Sequence, residues 1–236
     1  FYFYPREKPQ RPNRQVKRRV SQVMTVHIVL GAPLKAQDLD LDYQEGDLVL
    51  GVDGGSLLVK QAGYPLDLAL GDFDSLTQQE LKEVDAYANQ RYVKPDQDHT
   101  DFELALDLAR DYSRDDLIYV YNFQGGRVDH FISISYVVYL DQYEDLIPRL
   151  YLLDPANTVS FCQPGTYQIK KEPDKDYLSF IAMTPVSGLS LSGVKYPLED
   201  EDYAVPRALI SNEFAGGEDM VLSFRKGLVM VVQSKG

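Results

Sequence analysis

Several features that mark other classes of protein are absent from this chain of 236 residues. It contains no tryptophan and one cysteine, Cys162, so no internal disulfide can form, and this cysteine usage favours a reducing cytoplasm. Cys162 lies in the apolar run TVSFCQ, which indicates a buried small side chain rather than a nucleophile. Because no run approaches 18 apolar residues and no secretory signal is visible, we expect no membrane partner.

Familiar nucleotide and nucleophile motifs are absent as well. The chain has no G-x-x-x-x-G-K-[ST] loop and no G-x-G-x-x-G fingerprint, which argues against a P-loop enzyme and a dinucleotide dehydrogenase. It also has no G-x-S-x-G elbow of the kind that carries a catalytic serine. Any phosphate chemistry must therefore use another arrangement of side chains.

Positive charge is scarce outside the first 22 residues. The formal net charge is −12, but residues 1–22 hold seven Lys/Arg and one Glu, which leaves 17 basic and 35 acidic residues, or −18, for the remainder. Such an acidic body repels nucleic acid, so we expect no nucleic-acid partner. Residues 1–22 are a nucleic-acid arm or a disordered basic leader upstream of the strand that Met24 opens; their Pro/Arg/Gln-rich composition favours the leader.

What is present from Met24 onward is an alternation of apolar strands and amphipathic helices. This alternation is typical of a three-layer α/β fold with a mostly parallel sheet covered on both faces. In the segment DFELALDLARDY, the spacing of Phe102, Ala105 and Ala109 predicts one apolar helix face. The predicted strands cover residues 26–31, 47–53, 66–72, 91–95, 117–123 and 149–154, and the predicted helices cover 54–63, 77–90, 101–112 and 129–143.

The pattern changes after Pro155. Short runs rich in β-branched and aromatic residues, such as YLSFIAM and LVMVVQ, are separated by turn residues at intervals of roughly 8–12 residues, which is typical of an all-β sandwich. We therefore predict a leader over 1–22, an α/β domain over 23–155, and a β-sandwich domain over 156–236.

Four polar clusters follow predicted strands of the α/β domain. Ligands of open parallel sheets bind beyond the carboxyl ends of the strands, so these clusters are expected to converge on one edge. This convergence is the main physical indication of function. The clusters are Asp53-Gly54-Gly55, Gly71 to Ser75 (GDFDS), Lys94 to Asp101 (KPDQDHTD) and Gly125 to His130 (GGRVDH).

The stretch LALGDFDSL places two acids at the end of an apolar strand. Asp72 and Asp74 are two apart, so both carboxylates can point to one side of an extended segment. With Asp98 and Asp101 from the next loop, they form a set of hard oxygen ligands that suits a Mg²⁺ ion carrying a phosphate-bearing substrate. Helix capping by Asp74, Ser75, Asp98 or Thr100 is the alternative, but it does not explain the clustering.

Arg127 follows a glycine pair at a predicted helix start. Glycines let backbone amides approach an anion, and both the helix start and the guanidinium favour phosphate. Asp129 would orient Arg127, accept a proton or cap the helix. His99 and His130 lack partners at metal-ligand spacing, so we interpret them as structural or orienting residues.

Taken in order, the motifs DGG, GDFDS, PDQDHTDFELAL and GGRVDH resemble those of the thiamine pyrophosphokinase family. In the second domain, SGVKYPLED at 192–200 and the Ser211-Asn212-Glu213 triplet look like further motifs of this family. The resemblance extends from about Met24 to the end of the chain. It implies that the α/β domain over 23–155 binds the nucleotide and carries the catalytic site, and that the β-sandwich domain over 156–236 binds thiamine. It also implies a homodimer that transfers the diphosphoryl group of ATP to the hydroxyl of thiamine, giving thiamine diphosphate and AMP.

The resemblance also implies roles for individual positions. Asp72, Asp74 and Asp101 would bind Mg²⁺, and one of Asp72, Asp98 and Asp129 would take the hydroxyl proton. Tyr196 and Phe214 are candidates for the walls around the thiamine rings, with core packing an equal alternative. The assignments at the ATP phosphates are Asp53, Gly54, Gln97, Asp98, Thr100, Gly126 and Arg127. Arg127 and Asp129 would lie at the transferred group and at the acceptor, thiamine. Ser211 and Asn212 would contact thiamine from the sandwich domain, across the dimer interface.

Two other functions fit the acidic cluster. One is a Mg²⁺-dependent nucleotide pyrophosphohydrolase, in which water replaces the alcohol, and the other is a non-catalytic sensor of thiamine or nucleotide. The second-domain motifs argue against the hydrolase. The full set of acids together with Arg127 argues against a sensor, because a binding protein has little use for several metal-directed carboxylates.

Overall fold

Short apolar segments form the strands of the first unit, which ends at Ile134. The structure is a computed structural model and describes residues 24–93, 99–112, 116–216 and 219–236. Within the described part of this unit the strands run parallel in the order β5-β1-β2-β3-β4, which confirms the predicted parallel sheet. The strands are β1 (Thr25–Val29), β2 (Leu48–Val52), β3 (Leu68–Gly71), β4 (Gln90–Val93) and β5 (Leu117–Tyr121).

Helices follow the strands as the apolar periodicity predicts. In α3, Phe102, Ala105 and Ala109 are buried together with Leu106 and Leu108. Every residue of β3 is buried, so both faces of the central strands are covered, as expected for a parallel sheet. The helices are α1 (Gly54–Ala62), α2 (Gln78–Tyr87), α3 (Asp101–Tyr112) and α4 (Val128–Tyr136), with a short 3₁₀ segment at Ala36–Asp38.

The amino-terminal edge of this sheet is held by a buried hydrogen-bond network around Asp47. The Asp47 carboxylate accepts from the Thr25 backbone N–H at 3.0 Å and from the Gln44 N–H at 2.9 Å. His27 Nε2 lies 3.1 Å from Asp47, and its Nδ1 lies 3.2 Å from the Tyr121 hydroxyl. Since an ionised carboxylate only accepts, Nε2 carries the proton and Tyr121 donates to Nδ1. Burial lowers the pKa of His27, so the ring is neutral in the fold.

A second buried aspartate acts in the same way at the next strand. Asp67 precedes β3 and is 3% exposed. Its carboxylate accepts from the Val49 N–H at 3.1 Å and from the side-chain amide of Asn89 at 2.9 Å. The polar groups at the amino-terminal ends of these strands therefore bind and stabilise the backbone of the sheet. The candidate catalytic residues lie at the opposite, carboxyl ends.

The second unit begins at Ser135 and consists of antiparallel strands after two 3₁₀ segments, Val137–Tyr139 and Asp141–Arg149. One sheet has the order β12-β9-β14-β7-β6 and the other the order β11-β10-β13-β8. The strands are β6 (Leu150–Leu153), β7 (Asn157–Cys162), β8 (Gly165–Ile169), β9 (Tyr177–Ala182), β10 (Val186–Ser192), β11 (Leu198–Tyr203), β12 (Arg207–Asn212), β13 (Met220–Phe224) and β14 (Val229–Ser234).

The inner faces of these two sheets share one apolar core. Phe180 and Val231 from the first sheet pack with Leu189 and Leu222 from the second, and all four are at most 2% exposed. This core confirms the predicted sandwich. Cys162 also lies in it, and burial raises the pKa of its thiol to about 12, so the interpretation as a small buried side chain is confirmed.

Two predicted elements differ from the structure. The helix predicted over 129–143 is wrong beyond Tyr136, where β-branched Val137 and Val138 and then Pro148 accompany a change to 3₁₀ turns. The strand predicted at 149–154 belongs to the second unit, because β6 pairs antiparallel with β7. In the part of the chain that the structure describes, no helix is long and apolar enough to cross a membrane.

Candidate functional site

Asp53 lies at the carboxyl end of β2, in the tight connection to α1. Its backbone has a positive φ of 47°, and its N–H donates to the Leu70 carbonyl at 2.8 Å. Its Oδ1 accepts from the Phe73 N–H at 3.2 Å, which directs the carboxylate toward the end of β3. Gly71 makes this approach feasible, since a Cβ there would lie 1.9 Å from Asp53 Oδ1.

The electrostatics of Asp53 show that four carboxylates share this edge. Burial, together with the negative charges of Asp101, Asp72 and Asp74, raises the pKa of Asp53 to about 6 against the lowering effect of the Phe73 N–H. Acids from three of the loops are therefore near enough to Asp53 for their charges to act on it, and their convergence on one ion stays a prediction. Mutual repulsion of this kind is relieved when a cation lies among the carboxylates.

Asp72 and Asp74 are exposed on either side of Phe73, which is buried. Phe73 has a φ of 59°. The Arg91 guanidinium lies over the Phe73 ring, with its Cζ 5.7 Å from the ring centroid. The Asp74 N–H donates to Asp72 Oδ1 at 3.2 Å, which ties the two acids into one turn. Both acids are therefore exposed to solvent in the same turn.

Helix capping does not account for the acids of this turn. Thr77, rather than Asp74 or Ser75, caps α2, and it forms a reciprocal capping box with Glu80. For α3, the Thr100 hydroxyl accepts from the Glu103 N–H at 3.1 Å while Glu103 accepts from the Thr100 N–H at 2.9 Å. Thr100 thus caps α3, which was the alternative to a role at the metal and phosphate site.

Asp101 is half-buried in the first turn of α3, and among the neighbouring charges it has the largest effect on the pKa of Asp53. Gln97 and Asp98 lie outside the described residues. Over residues 24–93, 99–112, 116–216 and 219–236, no three histidines, cysteines or acids already stand in a metal-holding arrangement. The donor set itself suits Mg²⁺, since all four carboxylates supply hard oxygen atoms.

Arg127 and Asp129 form a bidentate ion pair at the start of α4. Arg127 Nε donates to Asp129 Oδ1 at 3.1 Å, and Nη2 donates to Oδ2. This pairing lowers the pKa of Asp129 to about 2 and raises the pKa of Arg127. A carboxylate so weakly basic is suited to orienting Arg127 and unsuited to taking a proton.

The glycines before Arg127 pack against the loop that follows β1. Gly125 has a φ of 93°, and a Cβ on Gly126 would lie 3.3 Å from Pro33 Cδ. The lack of side chains leaves the backbone amides of this turn open to an anion. His99 and His130 are both exposed, and their roles stay predictions.

In the second unit, Ser211 and Asn212 end strand β12. Ser211 is exposed with a φ of 61°, and its N–H donates to Ser179 Oγ at 3.3 Å. Asn212 is 6% exposed and binds both backbone groups of Tyr196, accepting from its N–H at 3.0 Å and donating to its carbonyl at 2.9 Å. The Asn212 side chain is thus engaged in holding Tyr196.

The two aromatic residues that are candidates for the walls around thiamine differ in solvent exposure. Tyr196 is 58% exposed, and Lys195 Nζ lies 5.5 Å from its ring centroid. Phe214 is 9% exposed and belongs to the sandwich core. Tyr196 is therefore available to a ligand, whereas Phe214 packs inside.

Comparison with known proteins identifies two domains of one protein family along this chain. A family model described as "Thiamin pyrophosphokinase, catalytic domain" matches residues 41–146, and one described as "Thiamin pyrophosphokinase, vitamin B1 binding domain" matches residues 166–229. A curated thiamine pyrophosphokinase of Bacillus subtilis (strain 168) is 34% identical over 214 residues, which cover 89% of this chain and 98% of that protein. The chain belongs to the thiamine pyrophosphokinase family.

Solved structures of the family share the fold. A thiamin pyrophosphokinase family protein from Enterococcus faecalis superposes with a TM-score of 0.81 at 32% identity, covering 90% of this chain and 99% of that one. The thiamin pyrophosphokinase from Candida albicans has a TM-score of 0.72 at 17% identity, covering 90% of both chains, and shows the likeness of fold alone. The predicted domain boundary at residue 155 falls between the two family matches and stays a prediction.

Proposed function

We propose that this chain transfers the β,γ-diphosphoryl group of ATP to the hydroxyl of thiamine, giving thiamine diphosphate and AMP. The observation that carries the proposal is the gathering of Asp53, Asp72, Asp74 and Asp101 at the carboxyl edge of the parallel sheet. Membership of the thiamine pyrophosphokinase family supports the choice of substrates.

Mg²⁺ is the cofactor that these acids fit, and we assign it to Asp72, Asp74 and Asp101. When bound to these carboxylates, the ion would supply positive charge that neutralises the phosphates of the nucleotide. The raised pKa of Asp53 supports this assignment, because a carboxylate cluster that repels itself gains from a divalent cation. Asp53 lies behind the exposed pair and would stabilise the turn that carries them.

The chain's own residues supply orientation and charge around the phosphates. The thiamine oxygen attacks the β-phosphorus, the bond from that phosphorus to the α,β-bridging oxygen breaks, and AMP leaves. Arg127, held by Asp129, would bind the transferring group, and the amides of Gly126 and Gly54 would face phosphate oxygens. Gln97, Asp98 and Thr100 are assigned to the polyphosphate by family resemblance.

The hydroxyl proton must leave as the new phosphorus–oxygen bond forms. Asp129 is the weakest of the three candidate acceptors, since its pairing with Arg127 holds its pKa at about 2. Asp72 and Asp98 are the acceptors we retain. Asp129 then acts at the acceptor end of the site by fixing the guanidinium of Arg127.

Thiamine would be bound through the second unit, at Ser211 and beside Tyr196. The match of residues 166–229 to a vitamin B1 binding domain supports this assignment. Asn212 would act by presenting Tyr196, whose ring can cover an apolar heterocycle. The thiazolium ring of thiamine is a cation, and the acidic body of the chain would attract it.

We also propose that the active form is a homodimer with thiamine bound at the interface, as the family resemblance implies. Sedimentation equilibrium with and without thiamine tests this assembly. A dimer is expected in both cases, and a monomer at assay concentration that retains full turnover would contradict it.

One assay tests the reaction itself. The protein is incubated with ATP, Mg²⁺ and thiamine, and the products are identified by chromatography and mass spectrometry. AMP that forms together with thiamine diphosphate, and only when thiamine is present, supports the proposal. AMP without thiamine would indicate the pyrophosphohydrolase, and binding without turnover would indicate the sensor.

A further inference from the structure

Asn122 lies directly after β5 in an unusual backbone conformation. Its φ is 59°, and the residue is 6% exposed. Its side-chain amide donates to the Leu30 carbonyl at 2.8 Å and to the Ala32 carbonyl as well. Both amide protons are therefore used to hold the segment that follows β1, residues 30–33, which we term the β1 loop.

The β1 loop is packed tightly against the start of α1. A Cβ on Gly55 would lie 3.0 Å from the Leu30 carbonyl carbon, and a Cβ on Gly31 would lie 3.3 Å from the Gly54 nitrogen. These distances mean that backbone touches backbone at this junction. A shift of the β1 loop must therefore move the start of α1, where Asp53 and Gly54 lie.

The other side of the β1 loop meets the glycine turn that precedes Arg127. Pro33 lies against both glycines, with its Cδ 3.3 Å from a Cβ built on Gly126 and its carbonyl 3.9 Å from one built on Gly125. The β1 loop is thus a spacer between two groups of backbone amides, one at the start of α1 and one before α4.

We propose that Asn122 is a positioning residue that sets the separation of the two phosphate-binding turns through the β1 loop. The inference rests on the proposed function and adds a residue that contacts neither substrate. Asparagine meets both local requirements, because it tolerates a positive φ and carries a donor pair that glycine lacks. Two turns held at a fixed spacing can receive two phosphoryl groups of one nucleotide without reorganisation.

The test replaces Asn122 with Gly, which keeps the positive φ unstrained and removes the amide. In the thiamine pyrophosphokinase assay, kcat/KM for ATP is expected to fall at least about tenfold, because misplaced binding groups lose rate steeply. The KM for thiamine should stay within about twofold. Asn89→Gly is the matched control, since Asn89 donates to Asp67 at the opposite edge of the sheet. It should lose thermal stability and keep the KM for ATP.

A purely structural role for Asn122 would lower the melting temperature of Asn122→Gly and leave its KM for ATP and kcat at the unaltered values. That outcome would overturn the proposal. If the unaltered protein forms no thiamine diphosphate, the proposed function fails instead, so the two failures are distinguishable.

A second measurement uses the unaltered protein and does not depend on turnover or on the folding of a variant. In ¹⁵N NMR spectra, the side-chain amide protons of Asn122 should exchange slowly, because both are hydrogen-bonded in a buried position. Saturation with ATP and Mg²⁺, without thiamine, should shift the Asn122 side-chain resonances and leave those of Asn89 in place. Asn122 resonances that stay unmoved at saturating ATP would contradict the inference.

Discussion

The two acids of the GDFDS turn show how single side chains determine the character of this site. Phe73 is buried and takes a positive φ, and this conformation turns Asp72 and Asp74 outward together. Partial burial first, and then the charges of Asp101 and of this pair, raise the pKa of the half-buried Asp53 to about 6. The acids are thus kept close at a cost to the fold, which is typical of groups selected for binding a cation.

Asp74→Asn should reduce formation of thiamine diphosphate by about a hundredfold or more, because one metal-binding charge is lost. The melting temperature should be unchanged or higher, since repulsion with Asp53 decreases. Steady-state kinetics and thermal unfolding check both parts. Asp111→Asn, at an exposed position in α3, is the control and should change neither. A marked loss of stability in Asp74→Asn would show instead that the acid is structural.

Tyr196 and Phe214 offer a pair of aromatic truncations with opposite expected effects. Tyr196→Ala should raise the KM for thiamine about tenfold and change the free energy of unfolding by less than about 0.5 kcal/mol, because its ring is exposed. Phe214→Ala should lower the free energy of unfolding by about 3 to 5 kcal/mol, because it empties part of the sandwich core. Urea unfolding and kinetics at varied thiamine measure both. Equal effects from the two variants would refute the assignment.

The end of β3 is the element on which the acidic site most depends. Gly71→Ala would place a Cβ at 1.9 Å from Asp53 Oδ1, at a φ of 138° that L side chains rarely adopt. The displaced carboxylate should cost about tenfold or more in kcat. Gly46→Ala shares the positive φ, at 110°, but meets nothing within 4 Å. It should lose a similar amount of backbone stability and retain activity, so the difference between the variants reports the Asp53 contact.

Helices and strands with a clear apolar period were predictable, and those without one were not. The apolar face of α3 predicted its bounds, and the burial of Phe102 and Ala105 agrees. Strand β11 reads LEDEDY and has little apolar alternation, and it lies at the edge of its sheet, where charge is tolerated. The helix predicted over 129–143 extended into the 3₁₀ segment Val137–Tyr139 and the first residues of Asp141–Arg149, because a 3₁₀ turn and an α-helical turn have similar residue spacing.

The location of the candidate site could be predicted from the sheet topology, whereas the residues that hold its loops in place could not. Parallel strands bring their carboxyl ends to one edge, so the meeting of Asp53, Asp72 and Asp101 was predictable. The packing role of Asn122 depends on a positive φ and on two carbonyls some 90 residues earlier in the chain, which a single sequence does not reveal. The predicted contact of Asn212 with thiamine stays a prediction, and its binding of the Tyr196 backbone is a contact that spacing alone cannot show.

Taken as a whole, the molecule should be sensitive to mild acid through His27. Its pKa is lowered in the fold from 6.5, so the unfolded chain binds the proton first and the free energy of unfolding decreases as pH falls below about 6.5. The change is at most about 1.4 kcal/mol per pH unit for one group. Urea titrations at pH 7.5 and 5.5 should show a larger decrease for the unaltered protein than for His27→Gln. Equal decreases would mean that His27 is not the group responsible.

The hydrogen bonds around Asp47 and Asp67 hold one end of the parallel sheet, and the acids that we assign to catalysis lie at the other. An engineer can therefore treat the two ends as separate design problems. Loops beyond the carboxyl ends could be redesigned for other alcohols or nucleotides, while a library aimed at heat tolerance is confined to the amino ends. The effects of substitutions at the two ends, on substrate choice and on stability, should then be additive when they are combined in one protein.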